Sequence, residues 1–140
     1  MRTTAVIADD EPLLRAQLRS RLARLWPELE VVHEMGNGRE ICKVLDEHAP
    51  TLFFLDIHMP GVSGLECARE IGARAHVVFV TAFDQYAVEA FEQGAIDYVL
   101  KPFDEDRLAI TVERLKERLV PIGRSVISAW SLRPRLTEAM

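Results

Sequence analysis

Short apolar runs alternate along this chain with stretches whose apolar residues recur every three or four positions. The runs fall at 5–8 (AVIA), 29–32 (LEVV), 52–55 (LFFL), 77–80 (VVFV) and 98–100 (YVL). Each is too short for a helix, and most are nearly free of polar residues, as strands buried on both faces must be. The second run continues into His33 and Glu34 and suits a sheet edge. Between the runs the period is helical. In 12–25, Leu14, Leu18, Leu22 and Leu25 share one face, and Pro12 suits a first turn. Asn37-Gly38 marks a turn, after which 39–48 carries Ile41, Val44 and Leu45 at helical spacing. Helices are also predicted over 64–72, 84–93 and 104–120. The last is capped by Asp104 and buries Leu108, Val112, Leu115 and Leu119.

Five strand–helix repeats imply right-handed crossovers and a parallel sheet covered on both sides. The expected fold is therefore a five-stranded doubly wound α/β domain with strand order 2-1-3-4-5. Residues 121–140 break the rhythm with two prolines, three arginines and Trp130. Twenty residues cannot make a further domain. Residues 1–120 thus read as the folded domain, and 121–140 as a linker or tail, the stump before an output domain outside this chain.

Composition narrows the functional classes. The 140 residues, 49% hydrophobic, suffice for one core and not for two ordinary domains. No apolar run approaches the roughly 20 residues of a membrane span, and the N-terminus lacks a signal-peptide cleavage pattern. Cys42 and Cys67 form no CxxC pair, so a disulfide framework is not expected and a reducing cytosol is the expected home. Both cysteines read as packing residues on helices. His33, His48, His58 and His76 share no zinc-ligand spacing with them. A net charge of −5 argues against a broad grip on nucleic acid by this chain. No GxxxxGK[ST] loop is present, which removes support for nucleotide hydrolysis.

Chemistry collects where the runs end. The first closes on Asp9 and Asp10, the third on Asp56, the fourth on Thr81 and the fifth on Lys101. Open parallel sheets bind ligands outside the carboxyl ends of their strands, near the point where strand order reverses. With neighbouring strands roughly 4.8 Å apart, Asp9, Asp10 and Asp56 converge. Three anions so close need a cation. Hard carboxylate oxygens with open positions suit Mg²⁺, which keeps waters and accepts a phosphate oxygen. Lys101 is long enough to reach back from two strands away. Together these groups describe phosphoryl transfer to Asp56, with Lys101 neutralising charge and Thr81 donating a hydrogen bond. The plainer alternatives are helix capping for Asp9 and Asp10, a strand end for Thr81, a solvated charge for Lys101 and simple packing for Tyr98.

The motifs IADDEP (Asp9, Asp10), LDIHMPGVSG (Asp56, Pro60, Gly64), VTA (Thr81, Ala82) and YVLKPF (Tyr98, Lys101, Pro102) resemble the receiver domain of two-component response regulators over about 1–120. The resemblance implies that a sensor histidine kinase phosphorylates Asp56. It implies Mg²⁺ on Asp9, Asp10, Asp56 and the backbone carbonyl of His58, and a cis bond between Lys101 and Pro102. It further implies a signalling phosphoacceptor, with self-catalysed phosphorylation and dephosphorylation only. Thr81 and Tyr98 would act as a switch, Tyr98 turning inward as Thr81 moves toward the phosphate. This would alter the face built from 84–93, 97–100 and 104–120. Phe83, two residues past Thr81, is expected to shield the acyl phosphate beside His58.

The stretch TAFDQYAVEAFEQGAIDYVLKPF most resembles receivers attached to LytTR-type (AlgR/LytR-like) DNA-binding domains, so DNA would be reached through a domain outside this chain. An aspartate-nucleophile phosphatase would place a second Asp two residues past the nucleophile, where this chain has His58. A pseudo-receiver that never takes phosphate is the other alternative. Arg15, Arg19, Arg21 and Arg24 form either a solvated face or a kinase-docking surface. Mixed charges in 107–118 suit an exposed helix or cross-subunit pairs in a homodimer formed on phosphorylation.

Overall fold

A computed structural model of the chain describes residues 2–119. The tail 121–140, including Trp130, lies outside the described residues. Five strands, β1 (Thr4–Ala8), β2 (Glu30–Met35), β3 (Leu52–Leu55), β4 (His76–Thr81) and β5 (Asp97–Leu100), form one sheet in the order β2-β1-β3-β4-β5, all parallel. Five α-helices connect or follow them: α1 (Pro12–Leu25), α2 (Ile41–His48), α3 (Gly64–Ile71), α4 (Ala87–Glu92) and α5 (Glu105–Arg118). The expected doubly wound fold and strand order are both present.

The two-residue period of each strand divides the core. Val6, Phe53, Val77 and Phe79 face one side, against Ile41, Val44 and Ile71 from α2 and α3. Ile7, Phe54, Val78 and Val80 face the other, against Leu18 and Leu22 of α1 and Leu108, Val112 and Leu115 of α5. β3 is buried at all four positions, whereas β2 is fully buried only at Met35, which is why the edge strand could afford His33 and Glu34.

Several boundaries differ from the sequence expectation. β2 runs one residue past the expected LEVVHE edge strand, to Met35, because pairing with β1 continues through Ala8↔Met35. Residues 38–40 form a 3₁₀ turn ahead of α2 instead of its first turn. α3 stops at Ile71, where Gly72 takes a positive φ of 53°. The helix expected over 84–93 is only Ala87–Glu92. It begins at Tyr86 without a side-chain cap, and the preceding Phe83 carbonyl is taken by the Tyr98 hydroxyl. α5 follows its expected cap, Asp104 Oδ1 accepting from the Arg107 amide at 2.9 Å. Cys67 is packed in the core as expected, but Cys42 is exposed on α2, its thiol 3.3 Å from a Glu70 carboxylate oxygen.

Strand register sets the site. Pairing of Ala8 with Leu55 brings the next residues, Asp9 and Asp56, side by side, and the Asp56 amide donates to the Ala8 carbonyl at 2.9 Å. Thr81 pairs with Leu100, and the Lys101 amide donates to the Thr81 carbonyl at 2.8 Å. The carboxyl edge of the sheet therefore delivers all these residues to one place.

Candidate functional site

Asp9 is held from three directions. Its amide donates to the Met35 carbonyl at 3.0 Å, its carbonyl accepts from Arg15 Nη1 at 2.5 Å, and its Oδ1 accepts from the Glu11 amide at 2.9 Å. The last bond gives Asp9 a local role at the entry to α1, whose N-cap residue Glu11 makes no side-chain cap. Its other oxygen, Oδ2, faces the site. Asp56 follows the all-apolar β3 and is buried, whereas Asp10 is exposed. Oxygens of Asp9, Asp10 and Asp56 lie within 4.8 Å of one another.

Lys101 closes the cluster from β5. Its ammonium donates to Asp9 Oδ2 at 2.7 Å and to Asp56 Oδ2 at 2.9 Å, with Glu11 Oε1 at 3.9 Å. Burial pulls its pKa down, but the hydrogen bonds to Asp9 and Asp56 outweigh burial and leave the group above the ordinary lysine value. Lys101 is therefore charged at neutral pH, and the solvated-charge alternative does not hold. The Lys101–Pro102 peptide bond is cis.

Asp56 Oδ1 is buried and has no hydrogen-bond partner. A bare buried carboxylate oxygen costs free energy that a bound ion or donor would recover. Its neighbours are two further carboxylates, hard donors that fit a small divalent cation such as Mg²⁺. The donor set thus fits the expected metal.

The backbone beneath Asp56 admits no side chain at Gly64. A Cβ there would lie 2.0 Å from the Asp56 carbonyl oxygen, and the Gly64 amide donates to the Ile57 carbonyl at 2.7 Å. Ser63 and Glu66 then cap α3 reciprocally. The loop after Asp56 is fixed by its glycine and by the helix that follows.

Thr81 is fully buried, and its Oγ1 accepts from the Phe83 amide at 3.5 Å rather than meeting Asp56. Tyr98 lies inward: it is buried, its ring centroid is 6.1 Å from that of Phe79, and its hydroxyl donates to the Phe83 carbonyl. Phe83 is partly exposed and packs at a tilt of 49° against the exposed His58 ring, centroids 4.1 Å apart, with Tyr86 edge-on to His58 at 5.5 Å.

Sequence reasoning missed two supports. Arg15 steadies Asp9 from α1 and pairs with Glu34 at 3.1 Å. Asp97, almost wholly buried at the start of β5, receives Arg107, Arg114, the Thr111 hydroxyl at 2.7 Å and the Tyr98 amide at 2.8 Å. A charged residue heading an otherwise apolar strand was the available signal. Its arginine partners were hidden among the ordinary charges of α5. Among the basic residues of α1, Arg15, Arg19 and Arg24 are spent on Glu34 and Glu105.

Residues 5–113 match the response regulator receiver domain family. The chain belongs to that family. An uncharacterised response regulatory protein of Vibrio cholerae is 50% identical over 119 residues, covering 83% of this chain and 46% of the relative. The transcriptional regulatory protein BtsR of Escherichia coli K12 is 45% identical over 114 residues, 80% of this chain and 47% of BtsR. The chain spans about half the length of these relatives. Among solved structures, the response regulatory domain of mrkE from Klebsiella pneumoniae superposes with a TM-score of 0.78 at 32% identity, over 83% of this chain and 97% of that domain. As a receiver, the chain is a two-component signalling domain rather than an enzyme of metabolism. Among its described residues no helix is long and apolar enough to cross a membrane.

Proposed function

We propose that this receiver accepts a phosphoryl group on Asp56 from a sensor histidine kinase, with Mg²⁺ as cofactor, in the cytoplasm. The observation that carries the reading is the unpartnered, buried Asp56 oxygen set between two further aspartates and a lysine ammonium. Asp9, Asp10, Asp56 and the backbone carbonyl of His58 would hold the metal, which supplies charge neutralisation on the phosphoryl oxygens when bound.

The chain's own residues supply the rest. A carboxylate oxygen of Asp56 attacks phosphorus and forms a P–O bond. The bond from phosphorus to the donor's histidine nitrogen breaks, and that nitrogen keeps the electron pair. Lys101 already sits 2.9 Å from Asp56, and its ammonium faces the charge that grows on the equatorial oxygens. The Thr81 hydroxyl, held only by a long bond to the Phe83 amide, is available to donate to the new phosphate. Its shift would disturb the Phe83 loop, which the Tyr98 hydroxyl grips, and so bias the face of α4, β5 and α5. Phe83, packed against His58, would slow water's approach to the acyl phosphate.

The relatives are about twice as long as this chain and include transcriptional regulators, which supports an output in transcription. We assign that output to a DNA-binding domain of LytTR type beyond this chain, engaged by a homodimer formed on phosphorylation. Incubation with Mg²⁺ and acetyl phosphate, followed by intact-mass measurement, tests the core of this reading. The expected result is one phosphate adduct, absent in Asp56→Asn. No adduct in the wild type overturns it in favour of a pseudo-receiver, and multiple turnover of a phosphomonoester favours a phosphatase.

A further inference from the structure

Beside the phosphoacceptor, on the α1 side of the sheet, lies a cavity of about 370 Å³. Interiors at ordinary packing density leave few voids larger than a water molecule, and this volume falls within the range of about 300–1,000 Å³ typical of small-molecule sites. Its floor is the upper end of the second core face, Ile7, Phe54 and Val80, each almost fully buried. Leu14 and Leu18 of α1 form one wall and Phe103 the other. Asp9, Glu11, Asp56 and Lys101 line the end nearest the acceptor, where Lys101 bridges Asp9 and Asp56 and has Glu11 Oε1 at 3.9 Å, so the negative charge of the lining is gathered at that end.

One cation in the lining is not so engaged. Among the described residues, Arg15, Arg19 and Arg24 of α1 each face a glutamate, whereas Arg21 faces none. Arg21 Nη1 donates to the Phe103 carbonyl at 2.9 Å, and its guanidinium lies 5.2 Å from the Phe103 ring centroid. That leaves most of a rigid fork of N–H donors at the rim of an apolar chamber, a geometry suited to a carboxylate. Gln17 lines the same rim with a further amide.

We propose that this cavity binds a small organic monocarboxylate with an aromatic body, the ring against Leu14, Leu18 and Phe103 and the carboxylate on Arg21. Lys101 and Asp56 share its wall, so occupancy slows phosphoryl uptake; this second statement rests on the phosphoacceptor reading above.

The binding arm is a titration of the isotope-labelled 140-residue chain with indole-3-propionate, followed by NMR. Expected are saturable shifts centred on Leu14, Leu18 and Phe103, with Kd below about 1 mM. Arg21→Gln should weaken binding about tenfold, as should replacement of the probe by its uncharged amide. Leu14→Trp, which fills the chamber from the half-buried face of α1, should abolish it. Absence of saturation at 10-fold higher probe, or binding indifferent to both variants, overturns the proposal. The second arm repeats phosphorylation by acetyl phosphate with the probe saturating. A slower adduct is expected; an unchanged rate overturns the coupling. Failure of ligand-free protein to take phosphate sinks the phosphoacceptor reading alone, since the NMR arm reads binding without it.

Discussion

At the scale of single residues, two positions carry sharp expectations. Gly64→Ala would force a methyl group into the Asp56 carbonyl, a backbone atom that cannot yield cheaply. A loss of about 3 kcal/mol is expected. Urea denaturation would show it as a lower midpoint at unchanged slope, and an unaltered midpoint would contradict the close approach. Phe83→Asn should shorten the lifetime of the Asp56 phosphate several-fold by removing the ring packed against His58. The decay of the phosphorylated mass after donor removal reads this directly, and equal lifetimes would show that the ring screens nothing.

At the scale of elements, Asp97 ties β5 to α5. Burial alone would raise its carboxyl pKa, but hydrogen bonds from Arg107, Thr111 and the Tyr98 amide hold it below the ordinary aspartate value. Such a depressed group contributes stability in full above the unfolded value, about 3.9, and loses it as pH falls through the lower folded value. Asp97→Asn should therefore cost about 2–3 kcal/mol near neutral pH, because it strands two guanidinium groups on a partner that has lost its charge. The deficit relative to wild type should narrow below pH 4. Thermal melts of both proteins across that interval check the sign, and a deficit independent of pH would place the loss in packing instead.

This brace also marks where the sequence stopped being legible. Strands were readable because a central parallel sheet demands near-continuous apolar runs, and helices 12–25 and 104–120 because their leucines kept period. Asp56, the other carboxylates and Lys101 were readable because each closes a run, so topology alone placed them at one edge. The start of α4 was not, since nothing in Asp84, Gln85 or Tyr86 announces that the Phe83 carbonyl is occupied by a side chain from β5. Nor could spacing show that the Lys101 ammonium pairs with both Asp9 and Asp56, or that Tyr98 lies inward.

At the scale of the whole molecule, metal binding should be visible as stability. Any ligand that binds only the folded chain raises its unfolding free energy, by about 1.4 kcal/mol at ten times Kd. Mg²⁺ should raise the Tm and a chelator should reverse the rise. Asp10→Asn removes one of three crowded anions while leaving both Lys101 pairs intact. Without divalent ion this variant should melt above wild type, and with Mg²⁺ it should gain less. A variant that melts lower in chelator would show that Asp10 is held by something other than crowding.

The order of the strands in space has a consequence for how the chain is made. β1 and β3, which lead into Asp9 and Asp56, lie inside the sheet and are synthesised before β4 and β5, while Lys101 follows β5, an outer strand. On the ribosome, two aspartates destined for the interior emerge well before the ammonium that neutralises them. A nascent chain halted short of residue 101 has no internal counter-charge for that pair and should stay open to proteases until translation resumes.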